Sequence, residues 1–206
     1  MSYLSFLWKS TNDHGIHSPF VYSFISTAFY NGHQLPELKR ATGSAALNKQ
    51  ALQTLYKIIA NKKAFKLLVL GDNATEVTDT IRNVAEQKNS QLWFFSPLAS
   101  VPGGLDLGII TGTNRQAVME QLHRLQEDVN QKSIIAIPNI HATPQMEQAW
   151  ETIKKDPNVT VTIDTYHLGL ISLRNGQAKQ HFLIRPYKSF FTDALLGARR
   201  LWGLLG

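Results

Sequence analysis

The first third of the chain has the apolar periodicity of helices. Apolar side chains recur at positions i and i+4 over residues 19–30 and form one broad stripe. Ser18 followed by Pro19 predicts the start of this helix, because the serine hydroxyl can accept a free backbone N–H and proline at the first helical position loses no hydrogen bond. A second helix is predicted over 45–61. Its inward positions are Leu47, Ala51, Leu55, Ile58 and Ile59.

From residue 67 onward, short apolar runs alternate with helical stretches. The predicted strands are LLVLG (67–71), LWFFS (92–96), LGIIT (107–111), SIIAIP (133–138), VTVTIDT (159–165) and LGLISL (168–173). The predicted helices are 75–88, 114–128 and 143–155. Strands that are apolar throughout, with helices between them, indicate a mostly parallel sheet covered on both faces.

The last two of these strands require a different connection. Only Tyr166 and His167 separate them, which is too short for a parallel crossover, so one of the two must run antiparallel. HFLIR (181–185) is a candidate for one further short strand. The fold class predicted is therefore α/β, a doubly wound Rossmann-like sheet with an antiparallel hairpin near its C-terminal end.

Length and composition agree with a single folded domain that carries extensions. The chain has 206 residues, 43% of them hydrophobic. We expect a helical N-terminal extension (1–66), a Rossmann-like domain (67–186) and an amphipathic tail (187–206). The absence of cysteine excludes disulfides, thiolate metal sites and cysteine nucleophiles. Because no apolar run is long enough to cross a bilayer and no secretory signal is evident, we predict a cytoplasmic protein.

The formal charge of +6 identifies no partner. The basic residues are spread along the chain, so a solvated basic surface is the simplest interpretation. Nucleic-acid binding is the remaining alternative, but no known RNA or DNA motif is present and we expect no specific nucleic acid as partner. No cluster of histidines and acids has ligand spacing, so no metal site is predicted.

Two idiosyncratic segments point to a family. HGIHSPFVYSF (14–24) and MEQAWETIKKDPNVTVTIDTYHLGLISLRNGQAKQHFLIRP (146–186) resemble a group of bacterial methyltransferase-like proteins related to the small-molecule O-methyltransferases. The predicted sheet also matches the plan of class I S-adenosylmethionine-dependent methyltransferases. The resemblance implies S-adenosylmethionine as cofactor, held where the strands end at the reversal of strand order.

At those strand ends the chain departs from the family pattern. In VLGDNAT (69–75) only Gly71 of the glycine-rich turn remains, and Asp72 is the one acid that could substitute for the missing anchor. Ser96, Thr111 and Asn139 stand where the family typically has acidic residues at the ends of the next three parallel strands. In such sites carboxylates accept hydrogen bonds from the ribose hydroxyls, bind the metal ion and take the proton of the methyl acceptor.

The leading hypothesis is therefore a methyltransferase-like protein that has lost S-adenosylmethionine binding and catalysis and acts as a binding or structural protein. It predicts no cofactor and no catalytic residues. The alternative is an active methyltransferase with an atypical pocket formed by the five positions Gly71, Asp72, Ser96, Thr111 and Asn139.

Chain length indicates a second loss. Only ten residues separate Ser96 from Leu107, whereas a parallel unit with its own helix and strand needs about 30. One parallel edge unit is therefore predicted to be absent, which leaves LWFFS (92–96) at an open edge. We expect another subunit to cover this edge near Trp93 and Phe94, in a homodimer, or the tail to cover it. For the tail, docking on the protein is favoured over a partner contact, and binding to a membrane surface is least favoured.

Overall fold

The computed structural model describes residues 1–12, 16–30, 46–87, 90–174, 176 and 178–187. One sheet contains all seven strands, and helices pack on both of its faces. The strands are β1 Lys66–Gly71, β2 Trp93–Phe94, β3 Leu105–Thr111, β4 Val129–Pro138, β5 Val161–Asp164, β6 Leu168–Ser172 and β7 Gln180–Leu183. The helices are α1 Tyr3–Lys9, α2 Pro19–Ile25, α3 Lys49–Lys62, α4 Ala74–Glu86, α5 Arg115–Leu125 and α6 Pro144–Lys155.

The strand order is β2-β1-β3-β4-β6-β5-β7. The pairings are parallel except at β6, which runs antiparallel to both β4 and β5. The order reverses beside β1, since β2 lies on one side of it and β3 on the other. The structure thus confirms a mostly parallel Rossmann-like sheet with an antiparallel C-terminal hairpin, and β7 confirms the further strand.

Polar side chains cap the starts of α2 and α3, the first where the sequence predicts it and the second at a later position. The Ser18 hydroxyl accepts the Val21 N–H at 3.5 Å, and Pro19 occupies the first helical position. This helix ends at Ile25 and continues as a π-helical turn over Ser26–Tyr30. The start of α3 is four residues later than predicted, because Asn48 caps the helix by accepting the Ala51 N–H at 2.8 Å.

Two apolar cores follow from the alternation of side chains along the strands. On one face, α2, α3 and α4 pack on alternate positions such as Val69 and Ile109. On the other face, α5 and α6 pack on the intervening positions such as Leu70 and Ile110, around the buried Trp150. All five positions predicted to face inward on the second helix are buried. The N-terminal helices α2 and α3 are therefore part of the core, and the proposed domain boundaries stay a prediction.

The edge at β2 agrees with the predicted loss of one parallel unit. The connection between Phe94 and Leu105 contains neither a helix nor a strand. The strand itself is shorter than predicted: it covers two residues instead of 92–96, because the chain turns at Ser96, whose hydroxyl accepts the Leu98 N–H at 3.2 Å. The side chain of Trp93 is 58% exposed.

The predicted tail, apart from Tyr187, lies outside the described residues. Within the part of the chain that the structure describes, no helix combines the length and apolar character needed to cross a membrane.

Candidate functional site

The carboxyl ends of β1, β3 and β4 surround a small cavity. Its volume is about 210 Å³, and Asp72, Thr111 and Asn139 are among its lining residues. Gly71 lies at the end of β1 next to Asp72, whereas Ser96 does not line the cavity. The structure therefore brings together three of the five predicted positions, places Gly71 beside them and leaves Ser96 in a separate turn.

The floor of this cavity is closed by a contact between two strand ends. The Thr111 hydroxyl lies 3.0 Å from the Leu70 carbonyl oxygen and within hydrogen-bonding distance of the Asp72 carbonyl oxygen. Gly71 has a φ of +98°, and a Cβ atom at this position would lie 1.8 Å from the Thr111 carbonyl oxygen. The ends of β1 and β3 are therefore in close contact at the edge of the sheet where a dinucleotide-binding fold holds its ligand.

A second set of hydrogen bonds closes the cavity from the side of α3. Asn139 has a φ of +60°, and its side-chain amide donates to the Ala46 carbonyl oxygen at 3.1 Å. The Asn48 amide donates to the Asn139 Oδ1 at 3.2 Å and lies 3.0 Å from the His167 Nδ1. Asn139 thus ties the end of β4 to the start of α3 instead of pointing a free amide at a ligand.

The cap of α3 also selects the tautomer of the neutral His167 ring. The Asn48 Oδ1 accepts the Ala51 N–H, so the amide nitrogen of Asn48 must face the ring. The Nδ1 atom of His167 is then the acceptor, and a neutral ring carries its proton on Nε2. Burial, together with the neighbouring His141, lowers the pKa of His167 below its ordinary value.

Sequence reasoning missed a buried ionisable group at the end of β5. Asp164 is 5% exposed, and its Oδ2 lies 2.7 Å from the Nε2 of His141, whose Nδ1 lies 3.1 Å from the Glu147 Oε1. The signal was an aspartate at the end of a run of β-branched residues, VTVTIDT, that is predicted to form a buried strand, because a buried carboxylate requires a partner. Among the described residues, no group of three or more histidine or acidic side chains is arranged to hold a metal ion.

Comparisons with known proteins add little beyond the fold. No family model matches the chain, and no curated protein is a significant match. Similar solved structures include a chain assigned as an O-methyltransferase from Klebsiella pneumoniae (14% identity, 75% of this chain, 96% of that chain, TM-score 0.40). A second is the O-methyltransferase from Bacillus cereus in complex with SAH, with 12% identity over 64% of this chain and 85% of that chain and a TM-score of 0.38. A third is a chain assigned as a class I S-adenosylmethionine-dependent methyltransferase from Listeria monocytogenes, with 11% identity over 72% of this chain and 59% of that chain and a TM-score of 0.41.

At these identities and TM-scores the neighbours carry no argument about activity. The class of the protein is defined by its own strand order and directions: an α/β protein with one Rossmann-like, mostly parallel sheet and an antiparallel hairpin near its C-terminal end.

Proposed function

We propose that this chain is a methyltransferase-like protein that does not bind S-adenosylmethionine and that acts as a binding or structural protein. The observation that carries the proposal is the closure of the strand crossover point beside β1. There the Thr111 hydroxyl contacts the carbonyl oxygens of Leu70 and Asp72, on both sides of Gly71, the glycine turn where the resemblance expects the amino-acid end of the cofactor.

The size and chemistry of the remaining cavity support the same conclusion. A volume of about 210 Å³ is below the roughly 300–1,000 Å³ of small-molecule sites. A nucleoside needs polar anchors, yet the amide of Asn139 is bonded to Ala46 and Asn48. Ser96 lies in a turn outside the cavity. The described residues therefore do not fit the cofactor.

One observation favours the alternative, an active methyltransferase with an atypical pocket. The exposed carboxylate of Asp72 borders the cavity beside Thr111, and an acid at that place could accept hydrogen bonds from a ligand. This alternative requires the contacts of Thr111 and Asn139 to open when a ligand enters.

Calorimetry distinguishes the two functions. We expect no saturable heat when S-adenosylmethionine or S-adenosylhomocysteine is titrated to about 1 mM. This concentration is on the order of the largest dissociation constant that a working cofactor site would have. The matched variant is Asp72→Asn, which keeps the size of the side chain and removes its charge. A micromolar dissociation constant in the wild-type protein that Asp72→Asn abolishes would overturn the proposal and support the active enzyme.

A further inference from the structure

A second and larger cavity lies at the same edge of the sheet, on the side of the β5–β6 hairpin. It has a volume of about 350 Å³, which is within the range of small-molecule sites. Helices α1 and α3, the hairpin and the chain that follows β7 enclose it. The residues that matter for its chemistry are Tyr3, Lys57, Tyr166, His167 and Tyr187.

Aromatic rings form one wall of this cavity. The rings of Tyr3 and Tyr166 meet edge to face with their centroids 4.9 Å apart, and Tyr166 meets His167 in the same way at 4.9 Å. The hydroxyls of Tyr3 and Tyr187 lie 2.7 Å apart. Such a wall favours a flat apolar body, because aromatic rings offer a large contact area with little loss of side-chain entropy.

Lys57, on α3, adds a cation to the lining of this cavity. Its ammonium group donates to the carbonyl oxygens of Phe29 at 3.2 Å and Pro186 at 3.0 Å, and an ammonium group has three N–H donors. No aspartate or glutamate lines the cavity, and none of the described carboxylates forms an ion pair with Lys57. A half-buried cation held only by neutral oxygens favours an anion as its third partner.

The backbone holds Tyr166 in a conformation that favours glycine. Its φ is +72°, and its N–H donates to the Asp164 Oδ1 at 2.7 Å. A tyrosine in the left-handed region costs free energy, and residues in such conformations are concentrated at ligand sites. The ring also stacks on His141, with centroids 5.2 Å apart, which keeps it against the cavity wall.

We infer that this cavity binds a small organic carboxylate with an aromatic or otherwise flat apolar body. The body would contact Tyr3 and Tyr166, and the carboxylate would accept the third N–H of Lys57. The inference goes beyond the proposed function, because this cavity is separate from the closed crossover point and its binding does not depend on the cofactor.

The test compares three probes that share one body and differ in charge: 3-phenylpropionate, 3-phenylpropanamide and 3-phenylpropylamine. In calorimetry with the full chain we expect a dissociation constant on the order of 0.1–1 mM for the carboxylate. The amide should bind at least about 10-fold more weakly, and the amine should show no saturation. Equal binding of carboxylate and amide, or no carboxylate binding at 10 mM, would overturn the inference.

Variants assign the binding to the cavity. Lys57→Met keeps the apolar stem and should weaken carboxylate binding at least about 10-fold, whereas Lys49→Met, on an exposed position of the same helix, should leave it unchanged. An equal affinity in Lys57→Met and Lys49→Met would contradict the assignment. Should Lys57→Met fail to fold, the comparison of carboxylate with amide binding to the wild-type chain still tests whether the cavity selects an anion. The result of the S-adenosylmethionine titration is independent of both outcomes.

Discussion

At the scale of single residues, Thr111 and Asn139 make hydrogen bonds within the protein at positions where the resemblance expects contacts with a ligand. Thr111 and Asn139 stand where acids are expected, and both side chains contact backbone carbonyl oxygens, which accept hydrogen bonds. The hydroxyl of Thr111 contacts the carbonyl oxygens of residues 70 and 72, and the amide of Asn139 donates to that of Ala46. A carboxylate cannot donate, so acids at these two positions would be incompatible with the contacts seen here.

The first prediction concerns the pH dependence of stability at His167. Its pKa is lowered in the folded chain by burial and by His141, so between that lowered value and about 6.5 the unfolded chain binds more protons. The free energy of unfolding should therefore fall as the pH decreases through 6.5 and stop falling below the folded pKa. Protonation of Nδ1 would also remove the acceptor for the Asn48 amide.

Urea unfolding between pH 5 and pH 8 measures this dependence. The variant His167→Gln retains an acceptor for Asn48 and cannot titrate, so its stability should vary less with pH. Burial also lowers the pKa of His181, so some dependence should remain and should decrease further with the added change His181→Gln. Identical pH profiles for the wild-type chain and His167→Gln would show that this histidine is not responsible.

At the scale of elements, the start of α3 joins the helical layer to the sheet. Asn48 caps this helix and also bonds to Asn139 and His167, which lie on the loops at the ends of β4 and β5. Asn114 caps α5 in the same way, by accepting the Ala117 N–H at 3.0 Å, but it is exposed and caps only its own helix. The chain thus contains a matched pair of caps that differ in their tertiary contacts.

The second prediction uses this pair. Asn114→Ala should lower the free energy of unfolding by about 1 kcal/mol, the usual effect of losing an N-cap. Asn48→Ala should lower it by about 2–3 kcal/mol, because it also removes the tertiary hydrogen bonds of the Asn48 amide to Asn139 and His167. Chemical denaturation of both variants provides the comparison, and equal losses would mean that the contacts between α3 and the sheet contribute nothing to stability.

At the scale of the whole molecule, β2 is an edge strand, and no other strand of the described residues pairs with its outer side. Trp93 is exposed there, and Phe94 is partly covered by the guanidinium of Arg82, 5.3 Å from its ring centroid. Open edges with apolar side chains favour pairing with another chain or need a cover. The homodimer and the tail thus remain the two predicted covers of this edge.

The third prediction separates these covers by sedimentation equilibrium. If a second copy covers the edge, the wild-type chain should be a dimer and Trp93→Lys should be a monomer, while Tyr22→Lys, at another exposed aromatic residue, should remain a dimer. If the tail covers the edge, the wild-type chain should be a monomer and a chain ending at residue 187 should associate. Monomers in both cases would contradict the prediction that this edge is covered.

The order of apolar and polar residues along the chain was sufficient to predict most of the fold. Strand periodicity and the two-residue connection at Tyr166 predict the sheet and its antiparallel strand, and the short link between Ser96 and Leu107 predicts a connection without its own helix, since each depends on local spacing or chain length. The site was less predictable. The sequence indicated that Thr111 and Asn139 lie at strand ends, and the loss of acids at these two positions stays a prediction.

Long-range packing determines the remaining features of the site, because residues far apart in the chain come into contact only after folding. Asn48 and Asn139 are 91 residues apart, and Lys57 donates to Pro186 across 129 residues. Neither the bonded amide of Asn139 nor the cation beside an aromatic wall follows from local pattern. The pairing of buried polar atoms depends on which loops meet at the sheet edge, and that is a property of the assembled fold.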